Sequence, residues 1–356
     1  MRTAVFHDYF SAIGGGEKTV VAMAKALNAD IITTDTTCFP KMEWDGPVRN
    51  IGSIIELPLI KQTSASIRFI LSNLSKQYDV VLFSGNWAHL AAEHYHPNIW
   101  YCHSPPRILY DQYSRYYQTL TPGLRIPFAS WAYLHRSRDK RAVKHIDRIL
   151  TNSQNVQNRI SHYYNREAEV ISPPVNCKRY SCEEFGSFWL SVNRLYPEKR
   201  IELQLDAFRS LPNQHLVIVG SYAKNDYTAL YARNVIKKKP ENVSFLGEVS
   251  EEELRDLYAR CQGVICTTRD EDFGIVPLEA MASGKPVVAV HEGGFRETVK
   301  DGITGILTGP SGNELAHAIS QVTQNPNGYK EACLLRAREF DISIFERKIR
   351  EAVMGL

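Results

Sequence analysis

The stretch QGVICTTRDEDFGIVPLEAMASGKPVVAV, Gln262–Val290, decides the fold. Its two ends, QGVICTT and KPVVAV, are short apolar runs of strand length rich in β-branched residues. Between them, RDEDFG is a polar loop, and Pro277 suits the first turn of a helix, which places Glu279 within that turn. A strand, a loop at its carboxyl end, a helix and another strand form a βαβ unit, which requires parallel strands.

The same rhythm extends in both directions. TAVFHDY, ADIITTD, DVVLFSG, NIWYCH and DRILTNS read as strands before it, and SFWLSVN, HLVIVGS, NVSFLGE and TGILTG read as strands around it. Helical patterns intervene: EKTVVAMAKAL places Val20, Met23, Ala24 and Leu27 on one face, and Ser153 is an N-cap for the helix of QNVQNRI. Alternating strands and helices predict a parallel sheet covered on both faces. VISPPVN interrupts the rhythm, because Pro173 and Pro174 fit neither a central strand nor a helix interior. The expected organisation is an α/β protein of two doubly wound Rossmann-like domains facing a central cleft. The expected limits are 1–172 for an N-terminal domain, 173–340 for a C-terminal domain, and 341–356 for a closing helix that returns to the first domain. Ile344, Phe345, Ile349 and Val353 form the apolar face of that helix.

Length and composition agree with this. A chain of 356 residues, 44% apolar and 23% charged, is ordinary for a soluble protein and long enough for two cores. The net charge of +3 gives no general affinity for nucleic acid. The seven cysteines are scattered without zinc or redox spacing, so they read as reduced, mostly buried thiols. MRTAVFHDYF carries Asp8 inside its short apolar run and predicts no signal peptide, and no apolar window is long enough to span a membrane. The expected location is cytoplasmic, at the inner face of the cell membrane.

In doubly wound sheets ligands bind at the carboxyl ends of strands, so the residues that follow strands come first. SAIGGGEKT follows the first strand; Gly14, Gly15 and Gly16 allow close backbone approach at a helix N-terminus, which favours an anion. A bare tight turn is the competing reading. The stretch is not a Walker loop, which would need glycine at Ala12 and Glu17, nor a dinucleotide fingerprint, which would need glycine at Thr19. NRLYPEKR places Arg194 and Lys199 after the first strand of the second domain, where two cations suit a diphosphate or are simply solvated. YCHSPPR ends a strand on His103, either a contact for a substrate hydroxyl or a structural histidine. His89, His94 and His96 lack metal-ligand spacing, and Asp270-Glu271-Asp272 matches the acid pair of a metal-dependent transferase class by too short a pattern to carry weight. No metal and no cofactor are expected. Glu271 and Glu279 flank a helix N-terminus that would welcome phosphate; the acids themselves would repel it and so should accept hydrogen bonds from hydroxyls. A sugar nucleotide presents that mixture of diphosphate and hydroxyl groups.

EDFGIVPLE resembles the E-x7-E signature of the retaining family 4 glycosyltransferases of the GT-B fold. GGGE, RLYPEK and GKPVVAVHEGGFRETVKDGITGIL resemble the same family's glycine loop, cation pair and continuation, and YCHSPPR with TNSQNVQNRI and VISPPV resembles a mannosyltransferase-like subgroup. The resemblance covers nearly the whole chain and implies roles. Glu279 would bind ribose hydroxyls; Glu271, with the backbone from Phe273 and Gly274 through Ile275 and Val276, would hold the hexose. Arg194 and Lys199 would neutralise the diphosphate leaving group, His103 would contact the donor sugar, Gly15 and Gly16 would lie near the phosphates or acceptor, and Leu246 would help place the base. Asp272 departs from the small residue or proline usual there. The implied activity is metal-independent transfer of a hexose, with GDP-mannose favoured as donor, to a glycan or lipid-linked glycan acceptor. A nucleotide-sugar isomerase or epimerase on the same fold, using His103 and Glu271, and a non-catalytic sugar-binding protein are the alternatives.

One segment points to a membrane. RIPFASWAYLHRSRDKRAVKHIDR, 125–148, has seven Arg or Lys against Asp139 and Asp147, with Ile126, Phe128, Trp131, Tyr133 and Leu134 as apolar anchors. A basic amphipathic helix of this kind can lie in a bilayer interface. The alternative is a surface helix whose aromatic residues pack inward.

Overall fold

The computed structural model describes residues 1–57, 59–222 and 228–356. The chain divides into two compact units, Met1–Pro173 with Ser343–Leu356, and Pro174–Ile342.

The first unit is built on strands β1 (Thr3–His7), β2 (Asp30–Thr33), β3 (Val48–Asn50), β4 (Val80–Ser84), β5 (Asn98–Cys102), β6 (Arg148–Thr151) and β7 (Glu169–Val170). They form one parallel sheet in the order β3-β2-β1-β4-β5-β6-β7. Every residue of β1, β4 and β5 is buried, which is why their stretches AVF, VVLF and IWYC read as apolar runs. The two outermost strands, β3 and β7, have three and two residues and no fully buried position. An edge strand needs no apolar run, so the sequence pattern does not reveal them.

The second unit contains β8 (Phe188–Val192), β9 (His215–Val219), β10 (Val243–Gly247), β11 (Gly263–Cys266), β12 (Val287–Val290) and β13 (Gly305–Thr308), parallel in the order β10-β9-β8-β11-β12-β13. Its core has two layers, one on each face of the sheet. Leu190, Val217, Val264 and Val287 point into one, and Trp189, Leu216, Ile265 and Val288 into the other. Both sheets reverse strand order at one place: between β1 and β4 in the first unit, and between β8 and β11 in the second. Such switch points are where doubly wound sheets bind ligands.

The last helix, Ile342–Met354, packs on the first unit. Phe345, Ile349, Ala352 and Val353 are buried, Arg148 donates to the Ala352 carbonyl at 2.9 Å, and Arg350 donates to the Ala26 carbonyl at 2.8 Å.

Candidate active site

In the second unit the sequence-predicted residues converge on the switch point. The loop after β8 carries Arg194, which is exposed, and Lys199, whose Nζ lies 2.8 Å from Glu271 Oε2 on the loop after β11. Cation and acid are therefore partners, each about a quarter exposed. The helix Ile275–Ala282 follows, with Gly274 as its N-cap at φ +89°. Pro277 lies in its first turn, and Glu279 begins the second, so the acid stands one residue deeper than the position of Pro277 suggests. Gly274 has no side chain to cap this N-terminus, and a helix start of this kind suits an anion. Phe273 is buried, Ile275 and Val276 are half-buried, and Leu246 on edge strand β10 is half exposed.

Glu279 is only 6% exposed and accepts a hydrogen bond from the Tyr258 hydroxyl at 2.8 Å. Burial, with this carboxylate alongside, pushes the Tyr258 and Tyr180 phenols well above the ordinary tyrosine range. Both phenols thus stay protonated and can donate to the acid.

Several supporting residues were not picked out from sequence. Arg200, adjacent to Lys199, is buried; its Nε donates to the Thr267 carbonyl at 2.8 Å and its two terminal nitrogens hold the Glu292 carboxylate at 3.1 and 2.8 Å. This fork ties the loop after β8 to those after β11 and β12. Gly294 N–H donates to the Glu271 carbonyl at 2.8 Å, and a Cβ on Gly293 would stand 2.3 Å from that same oxygen. The HEGG segment, 291–294, therefore seats the acid loop by backbone approach that only glycine permits. In the sequence this segment lies within the family-like stretch GKPVVAVHEGGFRETVKDGITGIL.

In the first unit, Gly14 is the N-cap of the helix Gly15–Leu27, and Gly16 lies beside the His103 ring, whose Cε1 is 3.9 Å from where a Gly16 Cβ would be. His103 Nε2 is 2.9 Å from Ser84 Oγ, and Ser84 Oγ is 3.2 Å from His7 Nδ1. Burial lowers the His103 imidazole to about 4, so it is neutral near pH 7. The Asp8 carboxylate accepts from the N–H groups of Asn86, Trp87 and Ala88 at 2.6, 2.9 and 2.8 Å, which pins the end of β1 to the loop after β4. Burial pushes Asp8 up to about 6 while those three N–H groups pull the other way. His7, Asp8 and Ser84 all stand at strand carboxyl ends; in the sequence, Asp8 inside an apolar run was the one visible sign.

Of the three histidines weighed against metal binding, His94 is exposed and two have structural partners. His89 is buried against Asp139 at 2.8 Å and stacks on Trp100, while His96 pairs with Asp147 at 3.0 Å. Among the described residues no three His, Cys, Asp or Glu side chains are grouped to hold a metal ion.

The basic segment differs from its expected form. The helix spans Pro122–Lys144, and Arg148 already belongs to β6. Phe128 is buried against Tyr113, and Trp131 is half-buried with its Nε1 donating to Thr63 Oγ1 at 3.0 Å, so both rings turn inward. Asp139 is internal too, taking hydrogen bonds from Tyr110 and Tyr164 besides His89. Burial of aromatic surface with hydrogen-bonded polar tips outweighs leaving it in water. The outer face is graded along its length: Leu124, Ile126, Tyr133 and Leu134 are exposed in the first half, and Arg138, Lys140, Arg141 and Lys144 in the second. Among the described residues no helix is long and apolar enough to cross a membrane.

Comparison with known proteins agrees with this arrangement. Residues 13–179 match the Glycosyltransferase Family 4 model and residues 183–339 match Glycosyl transferases group 1. An alpha-1,3/1,6-mannosyltransferase of Dictyostelium discoideum is 26% identical, over 90% of this chain and 89% of its own. The O-antigen chain mannosyltransferase RfbU of Salmonella typhimurium is 30% identical over 46% of this chain and 47% of its own. Among solved structures, Anabaena HepE in complex with UDP-glucose superposes with a TM-score of 0.79 at 21% identity, covering all of both chains. Two doubly wound parallel sheets, an acid pair spaced as E-x7-E at the second switch point and these matches together place the chain among the family 4 glycosyltransferases of the GT-B fold.

Proposed function

We propose that the chain is a retaining, metal-independent hexosyltransferase that moves mannose from GDP-mannose to a lipid-linked glycan in cell-surface polysaccharide or glycoconjugate synthesis. The observation that carries the reading is the pairing of Lys199 with Glu271 at the end of β11, beside the helix start that leads to the buried Glu279. Acids placed there suit sugar hydroxyls, and the neighbouring cations and N–H groups suit a diphosphate. Glu279 binds the ribose, and Glu271 with Phe273, Gly274, Ile275 and Val276 binds the hexose. Arg194 and Lys199 stabilise the charge that develops on the leaving diphosphate, the work a metal does in other transferases. Leu246 contributes to the base subsite. His103 contacts the donor sugar, and Gly15 and Gly16 lie near its phosphates or the acceptor. The choice of mannose rests on the mannosyltransferase relatives named above.

The acceptor is expected at a membrane surface, which the chain meets through the graded helix at its cytoplasmic location. The exposed apolar half would enter the interface while each nearby cation adds about 1 kcal/mol against anionic lipid. A panel of nucleotide sugars tests the donor: at about 100 times its dissociation constant the true donor raises stability by roughly 2.7 kcal/mol. UDP-glucose stabilising where GDP-mannose does not would overturn the donor choice. Co-sedimentation with anionic and neutral vesicles tests the surface. Arg138→Glu with Lys140→Glu should abolish the preference for anionic vesicles, and an unchanged preference refutes it.

A further inference from the structure

Two imidazoles at the first unit's switch point share a single serine hydroxyl, and the proposed donor chemistry makes no use of that fact. β1 and β4 are neighbours, with His7 directly opposite Ser84, and β5 is the next strand, leading to His103. The parallel ladder thus sets Ser84 Oγ 3.2 Å from His7 Nδ1 and 2.9 Å from His103 Nε2. Ser84 is fully buried and His7 is 6% exposed. The Phe10 ring meets the His7 ring at 4.8 Å and the Tyr101 ring meets His103 at 5.1 Å, which limits rotation of both imidazoles. Burial keeps both neutral, His7 lowered to about 3 and His103 to about 4.

A neutral imidazole has one N–H and one lone pair, and a hydroxyl has one hydrogen to give. If Ser84 donates to His103 Nε2, His103 carries its proton on Nδ1, and His7 must donate from its own Nδ1. If Ser84 donates to His7, His103 must donate from Nε2, and its Nδ1 is a lone pair. Either way both rings take the same tautomer, Nδ1–H in the first case and Nε2–H in the second, and one ring faces Ser84 with an N–H while the other faces it with a lone pair. The nitrogen that His103 turns away from Ser84 is then a donor only or an acceptor only.

We propose that His7 and Ser84 are positioning residues that, through the shared hydroxyl, hold His103 in one tautomer and so fix whether its Nδ1 donates to or accepts from a ligand hydroxyl. The coupling stands on the hydrogen-bond geometry; its effect on transfer rests on the role proposed for His103.

The full-length chain labelled with 15N-histidine gives the test, by long-range 1H–15N correlation near neutral pH with His7→Phe and His103→Gln as assignment variants. The expected result is one neutral tautomer for each ring, protonated on the Ser84-facing nitrogen in one and bare there in the other. Ser84→Ala and His7→Phe should each shift the His103 tautomer balance, and His7→Asn, whose amide replaces the Nδ1 hydrogen bond, should restore it. A His103 spectrum unchanged by Ser84→Ala overturns the proposal. Transfer from GDP-mannose supplies the second readout. Ser84→Ala should lower kcat/KM about tenfold, the scale of one well-made hydrogen bond, and should add no loss in a His103→Gln background. An equal loss in that background would make Ser84 merely structural and also overturns the proposal. If His103→Gln alone leaves transfer intact, the role given to His103 fails, and the spectra still decide the coupling.

Discussion

Gly274→Ala tests the geometry of the acid loop directly. At φ +89° the N-cap backbone occupies a region that L side chains rarely adopt, and holding alanine there costs on the order of 1–3 kcal/mol. Space adds a second penalty. The new Cβ would stand 2.8 Å from two ring carbons of Phe295, a side chain only 2% exposed. Phe295 starts the short helix that follows Gly294, whose own Cβ position is 2.4 Å from the Phe273 Cα, so the ring has little freedom to retreat. Overpacking of this kind costs roughly 1–3 kcal/mol. The combined expectation is a loss of about 3 kcal/mol in the second unit. For a unit of this size that lowers its Tm by about 10 °C. Thermal unfolding of wild type and variant, with and without GDP-mannose, measures both stability and donor stabilisation, and both should fall. A loss below about 1 kcal/mol would show that the loop relaxes freely and that glycine is not required there.

Glu279→Ala removes a buried acid held by the Tyr258 hydroxyl, and should weaken nucleotide-sugar binding by roughly 1.5–3 kcal/mol, read by calorimetric titration; Tyr258→Phe should weaken it less, since the acid remains. Arg194→Ala should lower kcat by about a hundredfold with a smaller change in donor affinity, because leaving-group charge develops in the transition state; activity should survive EDTA, and a loss restored by Mg²⁺ would point back to Asp270 and Asp272. Stability should fall on acidification. Burial holds His7 at about 3 and His103 and His135 at about 4 in the folded chain, against 6.5 for the free side chain, so the unfolded chain takes up protons first as pH drops below 6.5. From about pH 7.5 to about 5.5 each imidazole costs roughly 1.4 kcal/mol, and Asp8, raised to about 6, returns a little under 1 kcal/mol of the total because its folded form gains a proton. The net loss of ~3 kcal/mol is measurable as a lower urea midpoint, and His7→Phe should flatten the dependence by about a third of the histidine contribution.

The strands of both sheets that lie inside were legible as apolar runs, because a strand covered on both faces buries successive residues and is apolar over most of its length. The E-x7-E spacing was legible for a local reason too: loop and helix are consecutive in the chain, and a few residues fix their geometry. Strand order was not legible. Lys199 and Glu271 lie 72 residues apart, and only the placement of β8 beside β11 brings them to 2.8 Å. The same holds for Tyr258 with Glu279, for Arg200 with Glu292, and for His7 opposite Ser84. A hydrophobic pattern records that a residue is covered, not which residue covers it, and a buried polar group takes its partner from another strand end or loop. The helix Pro122–Lys144 shows the limit most plainly. Its cations and aromatic residues are equally visible in the sequence, but whether Trp131 and Tyr133 turn inward or outward depends on whether a hydrogen-bond acceptor such as Thr63 stands within reach, and that only the tertiary structure supplies.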